Sequence, residues 1–198
     1  MAINNQFFYK ASLKKHGISV QGLSWNSVEN QEIRFSVLTQ FIAKELLTCS
    51  VVDAGCGFGD LYLFWQKMGL KPKNYIGIDS FDKFITIANR RIANAVFLQR
   101  DILKDSLPMA DWYIASGSLN LLSDFETWLF LEKMLLHAQK GIVFNILCGE
   151  KKSKIYNYKT EKQIETFIVQ KGLTCKIVVG YLKNDMSVLV KKEKKGVE

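Results

Sequence analysis

The chain has 198 residues, 48% of them hydrophobic, only two prolines and a formal net charge of +8. That length suits one unit with one large core, and the apolar content excludes a disordered chain. No apolar run approaches the ~18 residues that span a bilayer. The start, MAINNQFFYKASLKK, lacks the apolar core and cleavage site of a secretory signal, so a soluble cytoplasmic protein is expected.

In chain order, residues 26–47 read as a long helix. Asn26 is the expected cap, with Glu29 three residues on, and Ile33, Val37, Phe41 and Ile42 mark an apolar face. The β-branched run at 50–54 reads as a buried strand, followed by a helix from Gly59 to Met68 that stops at Gly69. Strands at 74–79, 95–99, 111–116 and 141–147 follow, with a helix at 81–93 between the first two. Ser123 with Glu126, and Thr160 with Gln163, are capping-box pairs. They open helices running to about Gln139 and to Gly172. TCKIVVGYL and SVLVKK close the chain as a hairpin around KND.

Strands alternating with helices imply an α/β fold: a Rossmann-like, doubly wound, mostly parallel sheet with an antiparallel strand from the C-terminal hairpin. Residues 1–47 are expected to form a helical cap or lid, 48–192 the Rossmann-like core and 193–198 a basic tail. In such sheets ligands bind beyond the C-terminal strand ends, where the strand order reverses. The first strand-to-helix turn, VVDAGCGFGD at 51–60, is that place.

The turn carries Gly55, Gly57 and Gly59, a GxGxG pattern. A dinucleotide fingerprint is GxGxxG and seats a pyrophosphate on the helix N-terminus. Its last glycine falls on Asp60, whose carboxylate opposes a diphosphate, although the helix dipole alone also explains an acid there. This weakens a nicotinamide-dependent reading, and the absence of GK[ST] excludes a P-loop. A ligand with positive charge and no phosphate fits better, and S-adenosylmethionine is one. Asp79 ends the second strand, placed to accept from two ribose hydroxyls. Asp101 follows the third strand, within reach of an adenine amino group, and Asp53 ends the first strand, near the ligand's ammonium.

VVDAGCGFGD, YIGID and RDIL resemble motifs of the class I S-adenosylmethionine-dependent methyltransferases over roughly residues 45–190. The resemblance implies a seven-stranded sheet with its last strand inserted antiparallel beside the fifth. It also implies that Asp53, Gly55 and Gly57 meet the methionine part, Asp79 the ribose, and Asp101 with the Ile102 amide the adenine. Ser116 and Gly117 would lie beside the transferred methyl, and Cys56 and Ser80 complete the cofactor-binding candidates. More narrowly, LSWNSVENQEIRF, GCGFGDLY, ASGSLNL and FNIL are similar to small bacterial methyltransferase-like proteins of undefined substrate. Amino-methyltransferases often carry (N/D)PP(Y/F) after the fourth strand. Here that segment is ASGSLN, which argues against that subclass.

No catalytic residue is assigned, since positioning alone supplies much of the catalysis of methyl transfer. Trp25 is a candidate lid over the cofactor and Arg34 a candidate fork for its carboxylate. The competing readings are a hydrophobic staple and a surface arginine. His16, in the KHGIS loop, is a candidate base, and Tyr156 or Tyr158 could line an acceptor pocket; the competing readings are a lone surface histidine and packing before the Thr160 cap. With two histidines and no CxxC pair among the four cysteines, neither a metal site nor a disulfide framework is expected.

The partner expected is a small-molecule acceptor, with no membrane. A non-catalytic S-adenosylmethionine-binding module and an RNA methyltransferase are the alternatives. The latter rests on residues 151–198, which hold twelve Lys/Arg against five acids.

Overall fold

The computed structural model describes residues 5–25 and 27–192. The expected Asn26 cap and the 193–198 tail lie outside them. The described residues form six α-helices and eight strands: α1 (Asn5–His16), α2 (Val28–Ile42), β1 (Ser50–Ala54), α3 (Asp60–Lys67), β2 (Asn74–Asp79), α4 (Asp82–Arg91), β3 (Val96–Gln99), β4 (Ala110–Ala115), α5 (Asp124–His137), β5 (Ala138–Cys148), β6 (Tyr158–Lys159), α6 (Glu161–Gln170), β7 (Thr174–Val179) and β8 (Asp185–Lys191).

The strand order is β3-β2-β1-β4-β5-β8-β7, with β6 paired to the end of β5. Only β8 runs antiparallel, between β5 and β7. The sheet thus has the expected doubly wound plan with one strand more than the expected seven. The addition is β6, a two-residue parallel pairing of Tyr158 with Leu147 and Lys159 with Cys148. Among the described residues no helix is long and apolar enough to cross a membrane.

Alternation along the strands divides the interior in two. Tyr113, Ala115, Ile142 and Phe144 face α5 and α6, meeting Phe130, Leu131, Met134, Ile164 and Ile168. Trp112, Ile114 and Val143 face α2, α3 and α4, meeting Leu38, Ile42, Trp65 and Ala88. A third cluster, Phe58, Phe81 and Phe84, takes Tyr9, Leu13 and Leu23 against it and so docks α1 onto the glycine turn and the start of α4.

Both expected capping boxes are formed, at Ser123–Glu126 and Thr160–Gln163. Helix α2 is shorter than the 26–47 expectation. Ser27 caps it by accepting from the Asn30 amide at 3.1 Å. The chain leaves the helix after Ile42 and a 3-10 turn buries Leu46. His16 is the last residue of α1, not part of a loop. The hairpin turn occupies 180–184, and Asp185 belongs to β8.

Candidate functional site

From β1 the chain proceeds outward to β2 and β3 on one side and to β4 on the other. The β1/β4 boundary is therefore the switch point, and a crevice opens beyond its C-terminal strand ends. The Gly55 turn lies on one side of it and Ser116–Asn120 on the other. Gly55 has φ +83°, and a Cβ there would lie 2.4 Å from the Ser118 Cβ. Glycine is required at this position both by conformation and by that close approach. The Gly55 and Cys56 amides donate to the Ile78 carbonyl at 2.7 and 2.9 Å, tying the turn to the end of β2.

Asp79 completes the tie. Its Oδ2 accepts the Gly57 amide at 3.0 Å and its Oδ1 accepts the Phe81 amide at 2.9 Å. Burial against the turn pushes the Asp79 carboxyl up to about 6, with the Phe81, Gly57 and Ser80 amides opposing the shift. Asp53, 2% exposed, accepts from the Tyr75 hydroxyl at 2.7 Å. Burial pushes its carboxyl up to about 7; the Tyr75 bond opposes this and the Asp79 and Asp60 charges add to it. No Lys or Arg pairs with Asp53 or Asp79 among the described residues. A buried carboxylate at Asp53 and a half-buried one at Asp79, both without counter-ions, are costly to ionise, and a nearby cation relieves that cost.

Asp101 is more exposed. It accepts the Leu103 amide at 2.9 Å and pairs with Lys104 at 3.0 Å, an exposed contact that holds the carboxylate at the rim. Asp60 begins α3 and pairs with Arg91 at 2.7 Å. Its expected opposition to a diphosphate is therefore partly cancelled, and the anionic character of the turn comes from Asp53 and Asp79.

These groups face one cavity of about 510 Å³. Every sequence candidate for cofactor binding lines it except one: Trp25, Asp53, Gly55, Cys56, Gly57, Asp79, Ser80, Asp101, Ile102, Ser116 and Gly117 all do. Arg34 does not. It is buried against Asp185, with Nε 2.6 Å from Oδ2 and an ion pair through its second nitrogen. Tyr181 donates to the other Asp185 oxygen at 2.5 Å. Arg34's charge is thus committed within the protein, and its guanidinium stacks under Trp25 at 4.8 Å from the ring centroid. Trp25 in turn lies on Gly117, where a Cβ would come within 2.6 Å of the indole Cζ2 and φ is +75°.

The loop after β4 is fixed by its own polar groups. Asn145, 1% exposed, accepts the Gly117 amide at 2.7 Å and donates to Ser116 Oγ at 3.1 Å. Ser118 donates to the Ala54 carbonyl at 2.9 Å, and Asn120 accepts from the Leu147 amide at 3.2 Å. His137 ends α5 with Nδ1 2.9 Å from the Lys133 carbonyl, and neither histidine lines this cavity.

Sequence reasoning missed Tyr75 and Asn145, whose partners lie 22 and 28 residues away. It also missed the aromatic wall of Tyr9, Phe81 and Phe84, in which Phe84 meets Phe81 edge-on at 4.8 Å and Tyr9 at 5.5 Å. Burial holds the Tyr9 hydroxyl firmly protonated, with Asp79 contributing. Tyr9 follows Phe7 and Phe8 directly in a helix with little apolar periodicity, and Phe81 and Phe84 lie far along the chain, so nothing in the sequence signals that they meet.

No family model and no curated protein sequence matches the chain. Solved structures do match its three-dimensional form. Magnesium protoporphyrin IX methyltransferase (ChlM) from Synechocystis PCC 6803, with bound SAM, superposes with a TM-score of 0.72 at 15% identity, covering 97% of this chain and 99% of that one. The chain has the class I methyltransferase fold. The DhpI–SAM–HEP complex gives a TM-score of 0.73 at 12% identity over 95% of this chain and 96% of that one. CalS10, an amino pentose methyltransferase from Micromonospora echinaspora, gives 0.67 at 13% identity over 94% and 97%. In terms of this fold, the cavity lies at the strand ends bearing the glycine turn, and β8 is the inserted antiparallel strand.

Proposed function

We propose that the chain is an S-adenosylmethionine-dependent methyltransferase acting on a small-molecule acceptor. One observation carries this reading: the carboxylates of Asp53, buried, and Asp79, half-buried, neither paired with a Lys or Arg among the described residues, converge with Asp101 on one cavity around a glycine turn. Such a site favours a cationic nucleoside and disfavours a pyrophosphate. The presence of SAM or SAH in solved structures of the same fold supports it.

The fold's residues divide the work. Asp79 is held by two amides and keeps lone pairs for ribose hydroxyls. Asp53, at the base of the turn, balances the ammonium of the methionine part. Asp101 and the Ile102 amide address the adenine at the rim. Ser116 and Gly117, fixed by Asn145, support the sulfonium end, and Trp25 covers it and excludes water. When bound, S-adenosylmethionine would supply an activated methyl carbon to an acceptor lone pair, its carbon–sulfur electron pair remaining on sulfur. Orientation of the two reactants is then the chain's main contribution to rate.

Incubation with methyl-labelled S-adenosylmethionine and the small-molecule fraction of a cell extract tests the assignment. Label transfer, lost in Asp79→Ala, is expected. Tight binding without transfer to any fraction would instead make the chain a binding module, and transfer only to RNA would change the acceptor class.

A further inference from the structure

A second cavity, about 530 Å³, adjoins the first and shares Ser24, Trp25 and Tyr156 with it. Both volumes lie in the range of small-molecule sites, ~300–1,000 Å³. Its walls are aromatic: Phe7 and Phe8 from α1, Trp25, and Tyr156. Among the described residues lining it, Lys15 and His16 at the C-terminal end of α1 are the basic ones, and no Asp or Glu lines it. Helix α1 itself, NQFFYKASLKKH, contains no acid, and Lys15 forms no ion pair among the described residues.

The partition between the cavities is firmly built. Trp25 is pressed between Gly117 and the Arg34 guanidinium. Tyr156 is placed by its neighbour Asn157, whose amide donates to the Asn120 carbonyl at 2.8 Å and whose side chain donates to Thr127 at 2.8 Å. The segment carrying Tyr156 is thereby fastened to the loop that carries Gly117. An occupant of the second cavity abuts the wall whose other side faces Gly117.

We propose that this second cavity is a binding chamber of its own, divided from the first by the Trp25 wall, and that it takes a small aromatic-bodied anion whose ring lies among Phe8, Trp25 and Tyr156 and whose acid group faces Lys15. Ring stacking supplies the apolar contact, and the uncompensated ammonium at the mouth selects the sign of charge. This aromatic-anion specificity does not rest on the methyltransferase reading above.

Two isosteric probes of opposite charge test it: 2-naphthoate and 2-naphthylmethylamine, titrated calorimetrically into the full chain with and without S-adenosylhomocysteine. Naphthoate is expected to bind about tenfold more tightly than the amine. Lys15→Glu, an exposed substitution that leaves the core untouched, abolishes the preference, and Tyr156→Ala weakens both probes alike. Equal affinities, no naphthoate binding, or an unchanged preference in Lys15→Glu would overturn the proposal. The S-adenosylhomocysteine titration reads the first cavity separately. If that nucleoside binds and the naphthoate preference is missing, only the chamber assignment falls. If the preference is present and the nucleoside does not bind, the chamber specificity stands and the methyltransferase reading falls.

Discussion

The Asp79 carboxylate accepts the Gly57 amide at 3.0 Å across 22 residues of chain. The acid that ends β2 therefore shapes the glycine turn that follows β1, before any ligand arrives. Removing it should do two separable things. Asp79→Ala leaves the Gly57 and Phe81 amides without their partner, at about 1–3 kcal/mol of stability. It also removes the acceptor for ribose hydroxyls. Thermal unfolding should show a folded but less stable protein, and calorimetry should show S-adenosylmethionine affinity reduced at least about tenfold. Unchanged affinity would remove Asp79 from the site.

The pH dependence has a definite sign. In the ligand-free fold the Asp53 carboxyl sits at about 7, against an ordinary 3.8. Between those values the folded chain holds a proton that the unfolded chain has released, so this group's contribution to stability falls as pH rises through that window. Asp79, raised to about 6, acts in the same direction over a narrower window. A cationic ligand favours the ionised carboxylates, so binding releases protons. Affinity for S-adenosylmethionine should rise about tenfold from pH 6 to pH 8, while ligand-free stability does not rise with it. Calorimetry in buffers of different ionisation enthalpy reads the released protons directly.

Tyr75→Phe isolates one contributor to that behaviour. It deletes the 2.7 Å donor to Asp53 and leaves a ring that still packs against Tyr62, Trp65 and Phe97. A stability loss of about 0.5–1.5 kcal/mol is expected. The midpoint of the pH–affinity curve should move upward, because the hydrogen bond that favours the ionised carboxylate is gone. A loss of stability with an unmoved midpoint would make Tyr75 a packing residue only.

The Arg34–Asp185 pair is buried, with side chains 11% and 1% exposed. Arg34→Met strands the Asp185 carboxylate and should cost about 3–5 kcal/mol. Arg34→Met with Asp185→Leu should recover most of that loss, since both charges then leave the interior together. Urea denaturation of the two variants measures the difference. In both variants Trp25 loses the cation beneath it, worth about 0.5–2 kcal/mol at such a site, so Trp25's cover over Gly117 loosens and ligand affinity falls.

Much of this was legible from local chemistry. The capping boxes at Ser123 and Thr160 need only residues three apart, and both are formed. The Gly55 turn and the acids Asp53 and Asp79 follow from the strand–turn–helix pattern, because strand ends in a parallel sheet converge on one crevice. What was not legible depends on distant partners. Arg34 reads as a free cation until Asp185, 151 residues away, is brought beside it. Helix α1 has no 3.6-residue apolar face of its own; Tyr9 and Leu13 are ordered by Phe58, Phe81 and Phe84 from elsewhere in the chain. Strand β6 is two residues long and exists only because β5 extends to Cys148 to receive it.

The most direct test of the central claim is a calorimetric titration of the ligand-free chain at pH 8 with S-adenosylmethionine and, separately, with NAD. One-to-one binding of S-adenosylmethionine with proton release, and no detectable binding of NAD, is the expected result. Binding of NAD with none of S-adenosylmethionine would contradict this reading, because a site defined by the unpaired Asp53 and Asp79 carboxylates would then have accepted a diphosphate in preference to a cation.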